Sequence, residues 1–297
     1  MDKIAFIGLG NMGAGMAANL AKAGRRVAAF DISETSLARA RKDGCEIAES
    51  AADAVTDAAS VITMLPAGKH VLEVYETSIA PFAGDGALVI DCSTIDVDSA
   101  RQVAGAASDR GLRFADAPVS GGVAAAEGGS LTFMVGCADA DFAAVEDALQ
   151  PMAKAVIHAG GAGAGQSAKI CNNMLLGISM LGVGEAFALA EKLGLAPERF
   201  FEIASRSSGQ CWSMTSYCPW PGPVPAAPSN RGYEGGFLTA LMLKDLKLAQ
   251  AAAAGVGAST PMGAQAEALY ALFDGLGHGR KDFSAVLQLF RGRLDEL

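Results

Sequence analysis

FIGLGNMGAGMAANL, residues 6–20, joins a strand-like run to a helical one through three glycines. The pattern Gly-x-Gly-x-x-Gly between a strand and a helix is typical of a turn that binds the pyrophosphate of a dinucleotide. The first glycine permits the tight turn, the second lets phosphate approach the backbone, and the third lets helix and strand pack closely. The helix N-terminus then stabilises the phosphate charge. The predicted cofactor turn consists of Gly8, Leu9, Gly10, Asn11, Met12 and Gly13.

A carboxylate follows the next strand-like run, Val27–Phe30. Asp31 is placed to accept hydrogen bonds from an adenosine ribose and to repel a 2′-phosphate, and no arginine follows it. These features predict NAD rather than NADP as the cofactor. In such a fold the carboxyl ends of the strands line the ligand crevice, and the segments TMLP (63–66) and DCST (91–94) end the third and fourth predicted strands. Leu65, Pro66 and Thr94 are cofactor candidates on this ground, and His70 is a further cofactor candidate.

Up to about residue 160, strand-like runs alternate with helical segments, which predicts a parallel sheet with helices on both faces. The predicted strands are Ile4–Ile7, Val27–Phe30, Val61–Leu65, Leu88–Ile90 and Leu131–Val135. The alternation then stops, and the glycine-rich segment 160–163 is interpreted as a hinge. One long helix is predicted from Gln166 to Lys192, and the segments beyond it are helical. We therefore expect an α/β Rossmann-type N-terminal domain (1–162, NAD-binding) followed by an all-α C-terminal domain (163–297), joined by that helix. The segment from Tyr217 to Phe237 contains five prolines and is interpreted either as a surface loop or as a cover over the active site.

Composition excludes several classes of protein. The net charge of −9 without a basic block argues against nucleic acid as a partner, and six scattered cysteines and three distant histidines indicate neither a disulfide framework nor a metal site. The first strand begins directly after Met1-Asp2, which leaves no room for a targeting segment, so we expect a cytoplasmic protein. The apolar stretch from Met174 to Gly184 is too short for a membrane span and predicts a buried helix.

GQSAKICNNMLLG, residues 165–177, opens the long helix. Lys169 and Asn173 are four residues apart and share a helix face. A single lysine on a helix is usually solvated, but apolar neighbours and the preceding hinge favour a partly desolvated amine, whose lowered pKa would suit proton transfer. Asn173 could then hold a substrate oxygen.

DAPVSGGVAAAEGGSLTFMVG, residues 116–136, contains two glycine pairs. Paired glycines cost backbone entropy on folding, so their presence raises the question of what approaches the backbone so closely here. Composition and spacing alone do not identify the group that approaches the backbone at these glycines.

The segments GLGNMG, DAPVSGG, GQSAKICNNM and MLKDLKLA together resemble the β-hydroxyacid dehydrogenase family over the whole chain. The resemblance implies that Lys169 is the catalytic lysine and that Asn173 orients the substrate. It also answers the glycine question, because the backbone N–H groups of Ser120, Gly121 and Gly122 would hold a substrate carboxylate. The resemblance also implies that Lys244 and Asp245 lie beside the nicotinamide and the substrate. Without the resemblance, these two residues would be interpreted as part of a solvated helix face.

Within that family, SSGQCWS (207–213), PSNRGYEGGF (228–237) and KDFSAV (281–286) imply NAD-linked oxidation of 3-hydroxyisobutyrate to methylmalonate semialdehyde in valine breakdown. Lys169 would take the hydroxyl proton. Trp212 and Phe237 are interpreted either as an apolar wall for the substrate's methyl branch or as plain core packing. Apolar helix faces suggest a homodimer or homotetramer that acts on a small 3-hydroxy acid.

Three alternatives are considered, and the first of them is retained. A reductase of tartronate, glyoxylate or succinate semialdehyde would share the carboxylate site and the lysine. 6-Phosphogluconate dehydrogenase would need a cationic phosphate cluster and a much longer helical domain, which are not found in the sequence. A non-catalytic dinucleotide-binding protein would have no reason to retain Lys169, Asn173 and the Ser-Gly-Gly segment together.

Overall fold

The structure is a computed structural model and describes residues 2–297. The chain divides into two compact units, Met1–Lys169, here the first unit, and Ile170–Leu297, here the second unit. Each is described separately below.

The first unit is built on one nine-stranded sheet. Its strands are β1 (Lys3–Ile7), β2 (Arg26–Phe30), β3 (Glu46–Ile47), β4 (Ser60–Thr63), β5 (Leu88–Asp91), β6 (Arg113–Asp116), β7 (Val119–Ser120), β8 (Leu131–Cys137) and β9 (Ala153–Gly160). The spatial order is β3-β2-β1-β4-β5-β6-β8-β7, and β9 pairs with β8. The order reverses between β1 and β4, and in open α/β sheets such a switch point opens a ligand crevice at the carboxyl ends of the strands.

Helices cover both faces of this sheet. Those of the first unit are α1 (Gly13–Lys22), α2 (Glu34–Lys42), α3 (Ala51–Val55), α4 (Gly68–Val74), α5 (Val97–Asp109), α6 (Gly122–Glu127) and α7 (Phe142–Leu149). Alternate residues of β1 enter different cores: Ile4 and Phe6 belong to one buried cluster, Ala5 and Ile7 to another. A strand buried on both faces is apolar throughout, which explains why β1 shows no polar alternation.

The structure confirms the predicted Rossmann-type sheet and adds strands that the sequence did not reveal. β1, β2, β4, β5 and β8 correspond to the predicted strands, whereas β3, β6, β7 and β9 were not predicted. The expectation of a parallel sheet is wrong at one edge, because β8 runs antiparallel to β6 and β7. The connection from β7 to β8 contains only the short helix α6, which is less than the dozen or more residues of a parallel crossover, whereas α7 lies in the connection between β8 and β9, which are parallel.

A 29-residue helix, α8 (Ala164–Lys192), begins in the first unit and continues into the second. Among residues 2–297 it is the one helix long and apolar enough to cross a membrane by length and composition. Half of its most apolar window is buried inside the protein, as in the core helix of a soluble protein. This agrees with the predicted buried helix.

The second unit is helical, as predicted. After α8 its helices are α9 (Pro197–Ala204), α10 (Trp212–Thr215), α11 (Thr239–Val256), α12 (Pro261–Phe273) and α13 (Leu287–Arg291). Its main core packs Tyr270, Phe273 and Phe283 against α8 and α11 residues such as Met180 and Leu246. The proline-rich segment is mostly irregular and contains one short 3₁₀ turn, Pro228–Arg231.

The contact between β1 and α1 yields a test of the fold. A Cβ atom at Gly13 would press on the carbonyl oxygen of Gly8, so Gly13→Ala should lower the free energy of unfolding by about 1–3 kcal/mol. Gly105, inside α5, has open space around it, and Gly105→Ala should instead be neutral or stabilising by up to about 1 kcal/mol. Urea denaturation measures both. A Gly13→Ala protein as stable as Gly105→Ala would contradict this packing.

Candidate active site

The turn between β1 and α1 has the geometry expected of a phosphate-binding turn. Gly8 has φ +97°, and a Cβ there would meet the carbonyl of Met64 at the end of β4. A residue with a side chain would be strained in this conformation and would also collide with β4. Above Gly10, in contrast, no atom lies within 4 Å of an added Cβ. The turn is thus tight where it faces the sheet and open where a phosphate would approach.

Asp31 follows β2 and is tied to this turn. Its Oδ2 accepts from Leu9 N at 2.6 Å, and its Oδ1 accepts from Ser33 N at 2.8 Å. A carboxylate oxygen has two acceptor sites, so each oxygen retains capacity for a ribose hydroxyl. No acidic residue lies in the first turn of α1, where it would oppose a phosphate. The residues present fit an NAD molecule at this edge.

Polar groups at the ends of β4 and β5 are linked to one another. Leu65 N donates to Ser93 Oγ at 2.8 Å, and Thr63 Oγ1 and Ser93 Oγ both donate to Asp91 Oδ1. Pro66 and Thr94 continue directly from these two strand ends. His70 lies on α4, and its Nδ1 is buried with no hydrogen-bond partner among residues 2–297. Of the predicted cofactor residues, Leu65 is the one whose backbone this network fixes.

Asp91 itself is fully buried, and its Oδ2 has no hydrogen-bond partner among the described residues. Desolvation raises the pKa of this carboxyl to about 6, although hydrogen bonds from Ser93 and Thr63 act in the opposite direction. The charge of Asp116 contributes to the same increase in pKa. The sequence placed Asp91 at a strand end without assigning it a role.

The Ser120 loop, residues 119–122, shows why two glycines stand together. Gly121 has φ +139°, and an added Cβ would lie 2.5 Å from the Cβ of Ala125. Gly122 has φ +72°, with no atom within 4 Å of an added Cβ. Gly121 is therefore required by its own packing and conformation, and Gly122 is the position with room for a ligand. Ser120 ends β7 and is partly exposed.

Lys169 is buried, in contrast to a lysine on a solvated helix face. Its Nζ donates to Val119 O at 2.7 Å, which places the amine beside the Ser120 loop. Two of the apolar neighbours that suggested desolvation, Cys171 and Leu175, are exposed, so they do not account for this burial. The structure brings Lys169 and the Ser120 loop together within the first unit.

Asp116 and Gln166 are buried polar residues to which sequence reasoning gave no role. Asp116 ends β6 and accepts backbone N–H groups at the start of α8, and Gln166 lies in the first turn of that helix. Both stand in segments quoted for their glycines and lysine. The one feature of the sequence that could have indicated a role was their position, with Asp116 at the end of a strand and Gln166 at the start of a helix.

In the second unit, Asn173 and Asp245 form a buried pair. Asn173 Nδ2 donates to Asp245 Oδ2 at 2.5 Å, and Asn173 Oδ1 accepts from Asn172 Nδ2 at 2.9 Å. Asp245 thereby fixes the orientation of the Asn173 amide. Lys244 is partly exposed on α11, beside Asp245 in sequence.

Trp212 and Phe237 differ in their surroundings. Trp212 stacks on Tyr217 with ring centroids 4.8 Å apart, yet 51% of its surface is exposed, which excludes plain core packing. Phe237 packs edge-to-face on Phe283 at 5.8 Å, and its backbone N–H donates to the buried Asp282. Phe237 therefore packs, partly buried, against the core of the second unit, and Trp212 lies at its surface.

The doubly wound sheet, the glycine turn and the acid after β2 define the class of NAD-linked dehydrogenases. A family model described as the NAD binding domain of 6-phosphogluconate dehydrogenase matches residues 3–161. A second, described as NAD-binding of NADP-dependent 3-hydroxyisobutyrate dehydrogenase, matches residues 163–290. Both fit an enzyme that uses a nicotinamide dinucleotide.

Individual relatives narrow the class. The chain is 49% identical to a 3-hydroxyisobutyrate dehydrogenase of Pseudomonas aeruginosa, over 99% of this chain and 100% of that protein. It is 48% identical to an NAD-dependent L-serine dehydrogenase of the same species, over 98% of each. The solved structure of Mycobacterium tuberculosis 3-hydroxyisobutyrate dehydrogenase with L-serine matches at TM-score 0.95 and 46% identity, covering 98% of this chain and 99% of that one. The chain belongs to the 3-hydroxyisobutyrate dehydrogenase family and is an NAD-dependent oxidoreductase.

The buried Asp91 predicts an unusual pH dependence of stability. Because its pKa of about 6 in the folded protein exceeds the ordinary 3.8, the folded state keeps a proton that the unfolded state releases between about pH 4 and 6. The stability contributed by the protonated form is therefore lost as pH rises through this window. Asp91→Asn cannot lose this proton, so it should gain stability relative to wild type between pH 4 and pH 7, by on the order of 3 kcal/mol. Urea denaturation at both pH values checks this, and a pH-independent difference would contradict it.

Proposed function

We propose that this protein oxidises 3-hydroxyisobutyrate to methylmalonate semialdehyde with NAD, in the breakdown of valine, and that Lys169 is the general base. One observation carries the assignment: the buried amine of Lys169 is held 2.7 Å from Val119 O, beside the open backbone at Gly122, in the dinucleotide-binding unit. An amine so placed can take a proton from the hydroxyl of a substrate whose carboxylate is anchored at the Ser120 loop.

The cofactor is assigned to residues 8–13, with Asp31 at its ribose and Leu65, Pro66, His70 and Thr94 along the crevice. NAD supplies the hydride acceptor when bound. Lys169 takes the proton of the substrate hydroxyl as the carbinol carbon loses a hydride, so that one hydride and one proton, together two electrons and two protons, leave the alcohol and a carbonyl forms.

The substrate carboxylate is assigned to the backbone N–H groups of Ser120, Gly121 and Gly122, together with the Ser120 hydroxyl. Backbone N–H groups in positive-φ turns form concave anion sites, and the open space at Gly122 supports this role. Anchoring the acid end fixes the distance of the carbinol carbon from the base, which is the main contribution a protein makes to such a reaction.

Three residues of the second unit, Asn173, Lys244 and Asp245, are assigned by the resemblance to the β-hydroxyacid dehydrogenase family. Asn173 orients a substrate oxygen, and its fixed amide supports this, since Asp245 already holds the nitrogen end. Lys244 and Asp245 are assigned to nicotinamide and substrate. Trp212 is the candidate for the apolar wall, supported by its exposed ring; Phe237, packed against the core, is a weaker one.

L-serine is a second candidate substrate, because a relative 48% identical is named for it and a solved relative was determined with it. Both acids carry a primary hydroxyl two carbons from the carboxylate. They differ at the carbon between, which bears a methyl group in one and an ammonium in the other. The lysine and the carboxylate site would serve both substrates, and the pocket around that substituent would decide between them.

We further infer a cytoplasmic homo-oligomer, a dimer or tetramer, without nucleic acid or membrane partners. Exposed apolar side chains on α8 and α12, such as Leu175, Leu189 and Met262, support association between copies. The six cysteines, all free in the described residues, suit a reducing compartment. A domain boundary between residues 162 and 163 is supported by the two family models, which end at 161 and begin at 163.

Substitution of Lys169 tests the proposal. Lys169→Ala should fold and bind NAD but lose about 10²–10⁴ in kcat/KM, as expected for removal of a general base. Lys169→Arg should be nearly as poor, because a guanidinium with a pKa above about 12 cannot act as a base near neutral pH. Lys192→Ala, at the other end of α8, is the matched control and should remain active. Steady-state rates and nicotinamide fluorescence give the two readouts. A Lys169→Ala enzyme with more than about a tenth of wild-type activity would refute the assignment.

Cofactor preference tests Asp31. Wild type should prefer NAD to NADP by about tenfold or more in kcat/KM, about 1.4 kcal/mol, because the carboxylate repels a 2′-phosphate. Asp31→Asn keeps an acceptor for Leu9 N while removing the charge, so it should narrow the preference with less damage to the turn than Asp31→Ala. Higher kcat/KM with NADP in the wild type would show that Asp31 has been misinterpreted.

A further inference from the structure

The side chain of Gln166 is fully buried, and both ends of its amide are engaged. Its Nε2 donates to Ser93 O at 2.8 Å, and its Oε1 accepts from Ile95 N at 3.1 Å. These backbone groups flank Thr94, so one side chain fixes the backbone on both sides of that residue. A carboxamide offers a donor and an acceptor side by side, as this backbone segment requires.

Asp116 makes a complementary attachment from the end of β6. Its Oδ1 accepts from Gly163 N at 2.7 Å, and its Oδ2 accepts from Gln166 N at 2.8 Å. The first N–H groups of a helix lack partners within the helix, and a carboxylate satisfies them with favourable charge. The first turn of α8 is thus attached to the ends of both β5 and β6.

Lys169 lies three residues after Gln166, on the same face of α8. Its amine reaches Val119 O through a side chain with four rotatable bonds, so the position of Nζ depends on where the backbone of this turn is held. The two attachments therefore determine which atoms the amine can reach.

We propose that Gln166 and Asp116 are positioning residues, which fix the first turn of α8 and thereby hold the amine of Lys169 beside the Ser120 loop. This inference rests on the proposed function, in which that amine is the base. A displacement of about 1 Å at a reacting group can cost about a hundredfold in rate. Loss of either attachment should therefore lower kcat while leaving the binding of the acid largely intact.

Gln166→Met is the principal test, because methionine has a similar length and neither donates nor accepts a strong hydrogen bond here. We expect kcat at saturating NAD to fall about tenfold or more, with KM for the acid within about threefold of wild type. Without cofactor or substrate, an amine-selective acylating reagent should label Lys169 about threefold faster or more, as the amine loses its fixed contact. Peptide mass spectrometry measures this rate.

Ser167→Ala is the matched control. Its hydroxyl donates to Gly163 O within the same turn, so the substitution removes a hydrogen bond of α8 without removing either attachment. Both kcat and the labelling rate should stay within about twofold of wild type. A loss in this control equal to that of Gln166→Met would reduce the effect to general loosening of the turn and overturn the proposal.

A double-substitution cycle separates this inference from the proposed function. High activity of Lys169→Ala alone would refute the role of the lysine as base. If Lys169→Ala is impaired, adding Gln166→Met should lower the residual kcat by less than about threefold, since Gln166 acts through the lysine. A full tenfold further loss, or wild-type kcat and labelling in Gln166→Met, would overturn the positioning role.

Asp116→Asn tests the positioning role through the contact of Asp116 with the start of α8. It replaces Gln166→Met as the principal test if that variant does not fold. The asparagine keeps one acceptor and turns an N–H toward a backbone N–H at the helix start. Lower kcat with faster labelling of Lys169 is expected. A folded Asp116→Asn protein with wild-type values of both would contradict the proposal.

Discussion

Two backbone N–H groups at the start of α8 donate to one buried carboxylate, that of Asp116, and the placement of the lysine depends on this contact. Burial raises the pKa of Asp116, while the N–H groups of Gln166 and Gly163 favour its charged form. The contact joins the longest helix of the chain to the end of a central strand. Lys169 is less than two helical turns from the backbone N–H groups that Asp116 binds. The rigid sheet therefore restricts the positions that the amine can take.

The local signals in the sequence predicted the parts of the fold that are local in the chain. Three features could be predicted because each depends on residues close together in sequence: the glycine turn, Asp31 after β2 and the long helix. The short strands β3 and β7 were not, since two residues carry no periodicity. The antiparallel edge was missed because direction depends on the connection between strands and not on the strands themselves.

The same distinction applies to the candidate site. Lys169 and the paired glycines drew attention through residue type, whereas Gln166 and Asp116 did not, because their partners lie 47 to 73 residues away. The pair Gly121-Gly122 was interpreted from the sequence as having a single role, whereas the structure shows that the two glycines differ. Gly121 meets a conformational and packing requirement within the first unit, and only Gly122 faces open space. Gly122 also has φ +72°, so its own backbone conformation favours glycine, and the proposed approach of a ligand concerns Gly122 alone.

The proposed substrate, 3-hydroxyisobutyrate, is an acid with a methyl branch. The most direct test of this proposal is a comparison of kcat/KM for 3-hydroxyisobutyrate and for L-serine, both measured with NAD under the same conditions. The two substrates share the hydroxyl and the carboxylate, so their ratio isolates recognition of the substituent between them. The account predicts a preference for 3-hydroxyisobutyrate of about tenfold or more, the value of one well-placed apolar group. A preference for L-serine of that size, or no reduction of NAD with either acid, would contradict it.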